Sequence, residues 1–362
     1  MMKIHFIIST LKGGGAERVL SILASEFAKI NTYEINVITL NEHKDFYTLH
    51  PSVKRISMDF GKIPNHTVKA FFNLSKYYSN KKNRPDLIIS FMTLINLITI
   101  PIAKFYSIPI IAEEHNSHLR SFKNREFLSK LTKKHLYKRA NFLTVLTKFD
   151  VPYYTNFGAN VVVMPNPCSF PPIKAQEAMD RDKTILAVGN LDRYHHKGFD
   201  NLIKFIEPIL KSNPEWQLKI VGSGTNGLTI LTALVQEHEL SNQITFTGFI
   251  SDISKLMQSS SIFILSSRFE GLPMVLLEAM SQGMACIAYD CKTGPSDIIT
   301  HKYNGILISN QNASEMQKEL QNLIDNKNLR LTIGCNGLKS LKKYHINTII
   351  KNYEELFNKI LN

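Results

Sequence analysis

The chain alternates, twice over, between short apolar runs of strand length and longer amphipathic stretches. Lys3–Ser9 reads as a buried strand, Lys12–Gly15 as a tight loop and Ala16–Lys29 as an amphipathic helix. Further strand-like runs follow at Glu34–Thr39, Leu87–Phe91, Pro109–Glu113 and Phe142–Leu146, with helical stretches between them. Pro165–Lys183 collects prolines, alanine and mixed charges and reads as a linker. A second set begins at Thr184–Gly189 and continues through Leu218–Gly222, Ile244–Thr247, Ser261–Leu265, Ala285–Tyr289 and Gly305–Ile308. Such alternation predicts parallel sheets covered by helices on both faces. With 362 residues there is chain enough for two cores. The expectation is an α/β protein of two Rossmann-like, doubly wound domains, at 1–168 and 184–345, joined by a linker at 169–183. A closing helix at 346–362 has no strand after it to support. Ligands of such sheets bind beyond the carboxyl ends of the strands.

Leu87–Ala103 carries no charge over 17 residues, the short limit for crossing a membrane. Asn96 and Pro101 interrupt it and Lys104 closes it, so a strand followed by a helix fits better. Ile4–Leu11 is broken by polar residues and does not fit a secretory signal. Cys168, Cys286, Cys291 and Cys335 form no CxxC pair and no zinc-type spacing, which points to reduced thiols in the cytoplasm.

Two carboxylates stand out in Ser266-Ser-Arg-Phe-Glu270-Gly271-Leu272-Pro-Met274-Val-Leu-Leu-Glu278-Ala-Met-Ser-Gln-Gly283. Pro273 suits the first turn of a helix and Gly283 its stop. The helix between is apolar almost all round, hence buried, and a buried Glu278 needs a donor such as a ribose diol or an arginine. Glu270 stands ahead of the helix, where unpaired N–H groups and the dipole attract phosphate. From residue chemistry alone, an internally paired core glutamate and a capping glutamate explain the pair equally well.

Three glycine-bearing loops follow strands. Gly13-Gly14-Gly15 would let a diphosphate or sugar approach the backbone, or simply make a tight turn. Gly189-Asn-Leu-Asp-Arg193-Tyr-His-His-Lys197-Gly198 carries two cations able to neutralise a departing nucleoside diphosphate without a metal, or is a solvated turn. Gly222-Ser-Gly224-Thr-Asn-Gly227 matches the dinucleotide pattern literally but stands on the second strand of its unit, where the match is weak. His115 in Glu113-Glu114-His115-Asn116-Ser117-His118 stands directly after a strand, and Phe249 in a loop that could meet a base. Asp180-Arg-Asp182 lies in the linker and reads as a solvated charge run, so no metal is expected.

These segments resemble retaining glycosyltransferase family 4 of the surface-polysaccharide and lipid-linked-glycan type. The resemblance rests on Glu270-x7-Glu278, on Asp290-Cys-Lys-Thr-Gly-Pro-Ser-Asp297 with Asn304-Gly305, and on Lys12-Gly-Gly-Gly-Ala-Glu-Arg18, and it runs the length of the chain. It implies a GT-B fold, two Rossmann-like domains facing across a cleft, with the closing helix crossing back to the first domain. It further implies transfer of a hexose or N-acetylhexosamine from a nucleotide diphosphate sugar, with uridine the usual nucleotide. Glu270, His115, Arg193 and Lys197 would then be catalytic. Gly14, Gly15, Gly189, Phe249, Gly271, Leu272, Met274 and Glu278 would hold the donor. In the family an arginine usually follows the glycine directly; here Asn190 stands there, so Arg193 takes that role only if the longer loop permits. A nucleotide-sugar epimerase, a non-catalytic nucleotide-sugar binder and, more distantly, a nicotinamide oxidoreductase are the competing readings.

The formal net charge of +13 lies wholly in the first half: 24 Lys and Arg against 11 Asp and Glu up to Lys174, then 19 against 19. The excess concentrates in Lys123, Arg125, Lys130, Lys133, Lys134, Lys138 and Arg139, interleaved with apolar residues as a basic amphipathic helix. Such a helix suits an anionic membrane surface. Nucleic acid is not expected, because stacking positions and a known motif are missing. The polyprenyl-diphosphate-linked acceptor implied by the family would place the protein peripherally on the inner face of the cytoplasmic membrane.

Overall fold

A computed structural model describes residues 1–174 and 181–361, apart from the side chain of Lys123. Asp180 and the middle of the expected linker, 175–180, lie outside the described residues. Two compact units are present, Met1–Pro167 with Tyr344–Asn362 and Cys168–Lys343.

The first unit is a seven-stranded parallel sheet: β1 (Met2–Ile8), β2 (Tyr33–Thr39), β3 (Lys54–Ser57), β4 (Leu87–Phe91), β5 (Ile110–Glu114), β6 (Phe142–Val145) and β7 (Val161–Val163), in the order β3-β2-β1-β4-β5-β6-β7. Every residue of β4 and β5 is buried, as strands with helices on both faces require. The edge strands β3 and β7 were not expected. Both are short and only partly buried: β3 carries a single apolar residue, Ile56, and β7 is an apolar run of three valines, below the commonest strand length. The uncharged run splits as expected into β4 and the helix Thr93–Phe105. No helix among the described residues is long and apolar enough to cross a membrane.

The helix Gly15–Phe27 packs on β1 and the closing helix Ile346–Leu361 packs beside it. Ile349, Ile350, Tyr353, Leu356 and Phe357 are buried in this unit, and the Phe357 and Tyr353 rings lie 5.4 and 6.1 Å from that of Phe27. Burying each such side chain contributes about 1.5–3 kcal/mol before the entropy of ordering it. The closing helix is therefore part of the first unit's core.

The basic segment corrects an expectation. It is a broken run: tight turns at Lys123–Arg125 and Tyr137–Arg139 enclose an α-helix, Glu126–Leu131, and a wide π turn, Thr132–Leu136. The π turn rotates Lys133 inward. It is only 4% exposed, and its ammonium donates to the carbonyls of His118 (3.0 Å) and Arg120 (3.4 Å). Burial pushes it below the ordinary lysine range, with Glu114 the largest opposing influence. Lys133 is thus an internal brace and not part of a membrane face. Arg125, Lys130 and Lys138 are exposed, while Lys134 is half-buried with its Nζ 5.2 Å from the centre of the Phe157 ring.

The second unit is a six-stranded parallel sheet: β8 (Asp182–Val188), β9 (Gln217–Val221), β10 (Ile244–Gly248), β11 (Ser260–Leu265), β12 (Ala285–Asp290) and β13 (Ile306–Ser309), in the order β10-β9-β8-β11-β12-β13. Arg181 is no solvated charge, contrary to expectation, because its guanidinium donates to the carbonyls of Met257, Ser260 and Gln282. In both sheets the strand order reverses beside the first strand, between β1 and β4 and between β8 and β11. Loops leaving the carboxyl ends at such a reversal are where ligands of these folds bind.

Candidate active site

In the second unit the loops after β8 and β11 flank the reversal, and several contacts sew them together. Gly198 has a left-handed backbone (φ 70°), and a Cβ there would lie 1.9 Å from the Ser266 carbonyl, so only glycine fits. Ser266 Oγ donates to Lys197 O at 2.9 Å. The Arg268 N–H donates to His196 O at 3.0 Å, and its guanidinium grips both oxygens of Asp200 at 2.7 and 3.0 Å. A fork of this kind fixes geometry as well as adding energy.

The product of this clamping is a pair of predicted residues. Lys197 Nζ lies 2.7 Å from Glu270 Oε1, with the two side chains 17% and 10% exposed. Gly189 makes room for the lysine stem: a Cβ there would stand 3.0 Å from Lys197 Cγ. Ser267 Oγ also donates to Glu270 Oε1, at 2.6 Å. Burial by itself would raise the Glu270 carboxyl, but the Lys197 charge and the hydrogen bonds from Lys197 and Ser267 outweigh it, with His196 adding to them. The carboxyl is held below its ordinary range and stays ionised, and the lysine beside it is a partly buried, fixed cation. Such a cation is suited to stabilising charge on a leaving diphosphate.

Beyond Glu270 the chain turns into the helix Met274–Ser281. Pro273 sits at its N-cap, one position earlier than the expected first turn, and left-handed Gly283 (φ 69°) follows its end. Glu278 is 1% exposed on this helix, and Leu272 is buried. The predicted 290–297 run packs against the same segment. Thr293 Oγ1 donates to the Glu270 carbonyl, and a Cβ at Gly294 would lie 2.3 Å from Gly271 O. Arg193 is exposed at the end of the turn Leu191–Arg193, and its guanidinium has no hydrogen bond or ion pair among the described residues. Phe249 is exposed in the loop after β10.

In the first unit Gly13–Gly15 follow β1. Gly14 caps the helix Gly15–Phe27, its carbonyl accepting from Tyr47 Oη at 3.0 Å, and a Cβ at Gly15 would meet nothing within 4 Å. His115 stands just past β5. Its ring stacks on Phe91 (centroids 4.9 Å, 14°), and its Nε2 is 2.9 Å from Glu113 Oε2. Sequence reasoning gave no role to Glu17. Its carboxyl folds back over Gly14, burial raises it, and a hydrogen bond from the backbone pulls against that rise. A carboxylate two residues past a glycine loop was the available signal. His118 is held by Asp150 at 2.6 Å and stacked on Tyr153. Among the described residues no group of three or more His, Cys, Asp or Glu could hold a metal ion.

Residues 169–340 match the family described as Glycosyl transferases group 1. An uncharacterized glycosyltransferase of Haemophilus influenzae is 31% identical, over 98% of this chain and 99% of the relative. A Campylobacter jejuni GalNAc-alpha-(1->4)-GalNAc-alpha-(1->3)-diNAcBac-PP-undecaprenol alpha-1,4-N-acetyl-D-galactosaminyltransferase is 29% identical, with 100% of both chains covered. Among solved structures, Anabaena HepE in complex with UDP and glucose superposes with a TM-score of 0.80 at 17% identity, covering 99% of this chain and 100% of that one. The two parallel-sheet Rossmann-like domains of the GT-B fold are thus present, and the chain belongs to the glycosyl transferases group 1 family.

Proposed function

We propose that this protein is a retaining glycosyltransferase that moves a hexose or N-acetylhexosamine from a nucleotide diphosphate sugar, a UDP-sugar first among them, to a polyprenyl-diphosphate-linked glycan. The observation that carries the reading is the clamped Lys197–Glu270 pair at the strand-order reversal of the second unit. In the reaction the bond from the anomeric carbon to the diphosphate breaks, and the acceptor oxygen bonds to the same face of that carbon. The acceptor's proton passes to the departing diphosphate, so no enzyme base is needed. Lys197 and the N–H groups opening the helix Met274–Ser281 stabilise the leaving group without a metal. Arg193, from its exposed turn, supplies the second cation. Glu278 holds the ribose diol, and Glu270 and His115 orient the sugar. Gly14, Gly15, Gly189, Phe249, Gly271, Leu272 and Met274 line the donor.

The acceptor class is supported by the undecaprenol-linked substrate in the Campylobacter relative's name, and the nucleotide by the UDP in the HepE complex. Exposed Arg125, Lys130 and Lys138 beside exposed Phe127 would rest on anionic lipid at the cytoplasmic face, in polysaccharide or lipopolysaccharide assembly. A thermal-shift screen against UDP, GDP, ADP and CMP picks the donor class, after which product formation is measured with the matching donor sugars. Lys197→Ala is expected to lower turnover by about 100- to 1,000-fold, as removal of one charge-stabilising donor does elsewhere, with Glu270→Gln also impaired. Full transfer by both variants would overturn the site.

A further inference from the structure

We infer that Glu113 and Tyr353 are positioning residues that fix the tautomer of His115, so that the closing helix is a working part of the first unit's site. The inference rests on the proposed role of His115 at the sugar. Glu113 is fully enclosed and uses both its oxygens: Oε2 faces His115 Nε2 at 2.9 Å, and Oε1 accepts from Tyr353 Oη at 2.5 Å. An ionised carboxylate can only accept, so the proton of the first contact belongs to Nε2 of His115. The tyrosine can only donate here, because burial and the Glu113 charge hold its phenol well above its ordinary range. The ring is also fixed in plane by its stack on Phe91, and the imidazole side chain is 6% exposed. Only Nδ1 remains. It is buried and has no hydrogen-bond partner among the described residues. With the proton held on Nε2, Nδ1 is a lone pair, able to accept a hydrogen bond and unable to donate one. An enclosed acceptor of this kind is costly until a donor fills it.

The tyrosine reaches this carboxylate from 240 residues away in sequence, on a helix whose neighbouring side chains fill the space around Phe27. Core packing explains the ring of Tyr353 but does not require its hydroxyl. The hydroxyl donates to Glu113, and through it acts on His115.

The test uses the full chain labelled with 15N-histidine and long-range proton–nitrogen correlation at about pH 8, above the ordinary histidine range. His115 is assigned by the signal lost in His115→Gln. The wild type is expected to carry its proton on Nε2. Glu113→Gln should shift the pattern to the other or a mixed tautomer, and Tyr353→Phe, which keeps the ring and removes the hydroxyl, should give a mixture. A proton on Nδ1 in the wild type, or a pattern unchanged in both variants, overturns the inference. Turnover separates it from the reading beneath. Removing a hydrogen bond to a charged group should lower kcat by about tenfold in Glu113→Gln, with KM for the donor little changed. A tautomer shift with kcat intact would leave the positioning roles standing and remove His115 from the transfer step.

Discussion

Gly13-Gly14-Gly15 and Gly222-Ser-Gly224-Thr-Asn-Gly227 both leave the carboxyl end of a parallel strand and both lead into a helix. They use the absence of side chains in opposite ways. In the second, a Cβ at Gly222 would lie 1.8 Å from Gly189 O, at Gly224 2.4 Å from Asp192 N, and at Gly227 1.8 Å from Leu191 O. Asp192 Oδ1 also accepts from the Gly227 N–H at 2.9 Å, and Ser223 O accepts from Leu191 N at 2.8 Å. All three glycines are filled by the loop that carries Lys197. In the first, Gly15 faces open space. The literal nucleotide pattern is a packing device, and in the plain triplet Gly15 is the open position, Gly13 lying against Phe46 and Gly14 under the Glu17 carboxyl. A glycine pattern says that something comes close, and only the fold says whether it is a ligand or the chain's own backbone.

The sharpest way to break that contrast is Gly227→Ala. The added methyl overlaps a backbone carbonyl that cannot rotate away, so either the helix Thr225–Glu237 or the 189–192 loop must move. Overpacking against backbone is expected to cost about 3 kcal/mol or more, a large share of a domain's margin. Urea unfolding measures it. Displacing the loop should also pull Lys197 from Glu270 and weaken the response to donor. Wild-type stability and donor response would mean that the glycines are not held by this packing.

A smaller effect tests what the packed loop delivers. Glu270→Gln keeps the shape but leaves the enclosed Lys197 ammonium facing a neutral amide, a loss of about 1–3 kcal/mol at neutral pH. The folded Glu270 carboxyl lies below its ordinary value near 4.5, so the unfolded chain binds its proton first as pH falls. Its stabilising contribution is therefore complete above that value and is lost as pH drops through the lower folded one. The gap in urea midpoint between wild type and Glu270→Gln should close over that acidic window and stay constant from pH 6 to 8. A gap independent of pH down to acid unfolding would show that the pair does not form in solution.

Much of this architecture was legible because burial on both faces leaves a continuous apolar run. Leu87–Phe91 was read to the residue, and the other long strands to within about two at either end. Lys54–Ser57 and Val161–Val163 were not, the first because it is mostly polar and the second because three valines are too short a run to mark a strand. Lys197 and Glu270 were legible as chemistry, 73 residues apart, but the clamp that joins them was not. The fork between Arg268 and Asp200 looks in sequence like two ordinary surface charges. Lys133 misled for a related reason. Helical periodicity places it beside Lys130 and Lys134, and the π turn that rotates it inward leaves no trace in composition. Nothing in the sequence singles out Tyr353, and its hydroxyl's partner became visible only once the closing helix was placed.

The mildest change probes the open loop. Gly15 is the first residue of its helix, its backbone is not left-handed, and a methyl there meets nothing within 4 Å. Gly15→Ala should therefore leave the fold intact and raise stability slightly, by up to about 0.5–1 kcal/mol, because alanine loses less freedom on entering a helix. If the open space is where a sugar or diphosphate comes against the backbone, the same methyl should raise KM for donor or acceptor while the melting midpoint holds or rises. Stability and binding would then move in opposite directions, which a packing glycine cannot produce. A fall in stability of the size expected for Gly227→Ala would instead mean that both turns are packing turns, and the distinction between them would be gone.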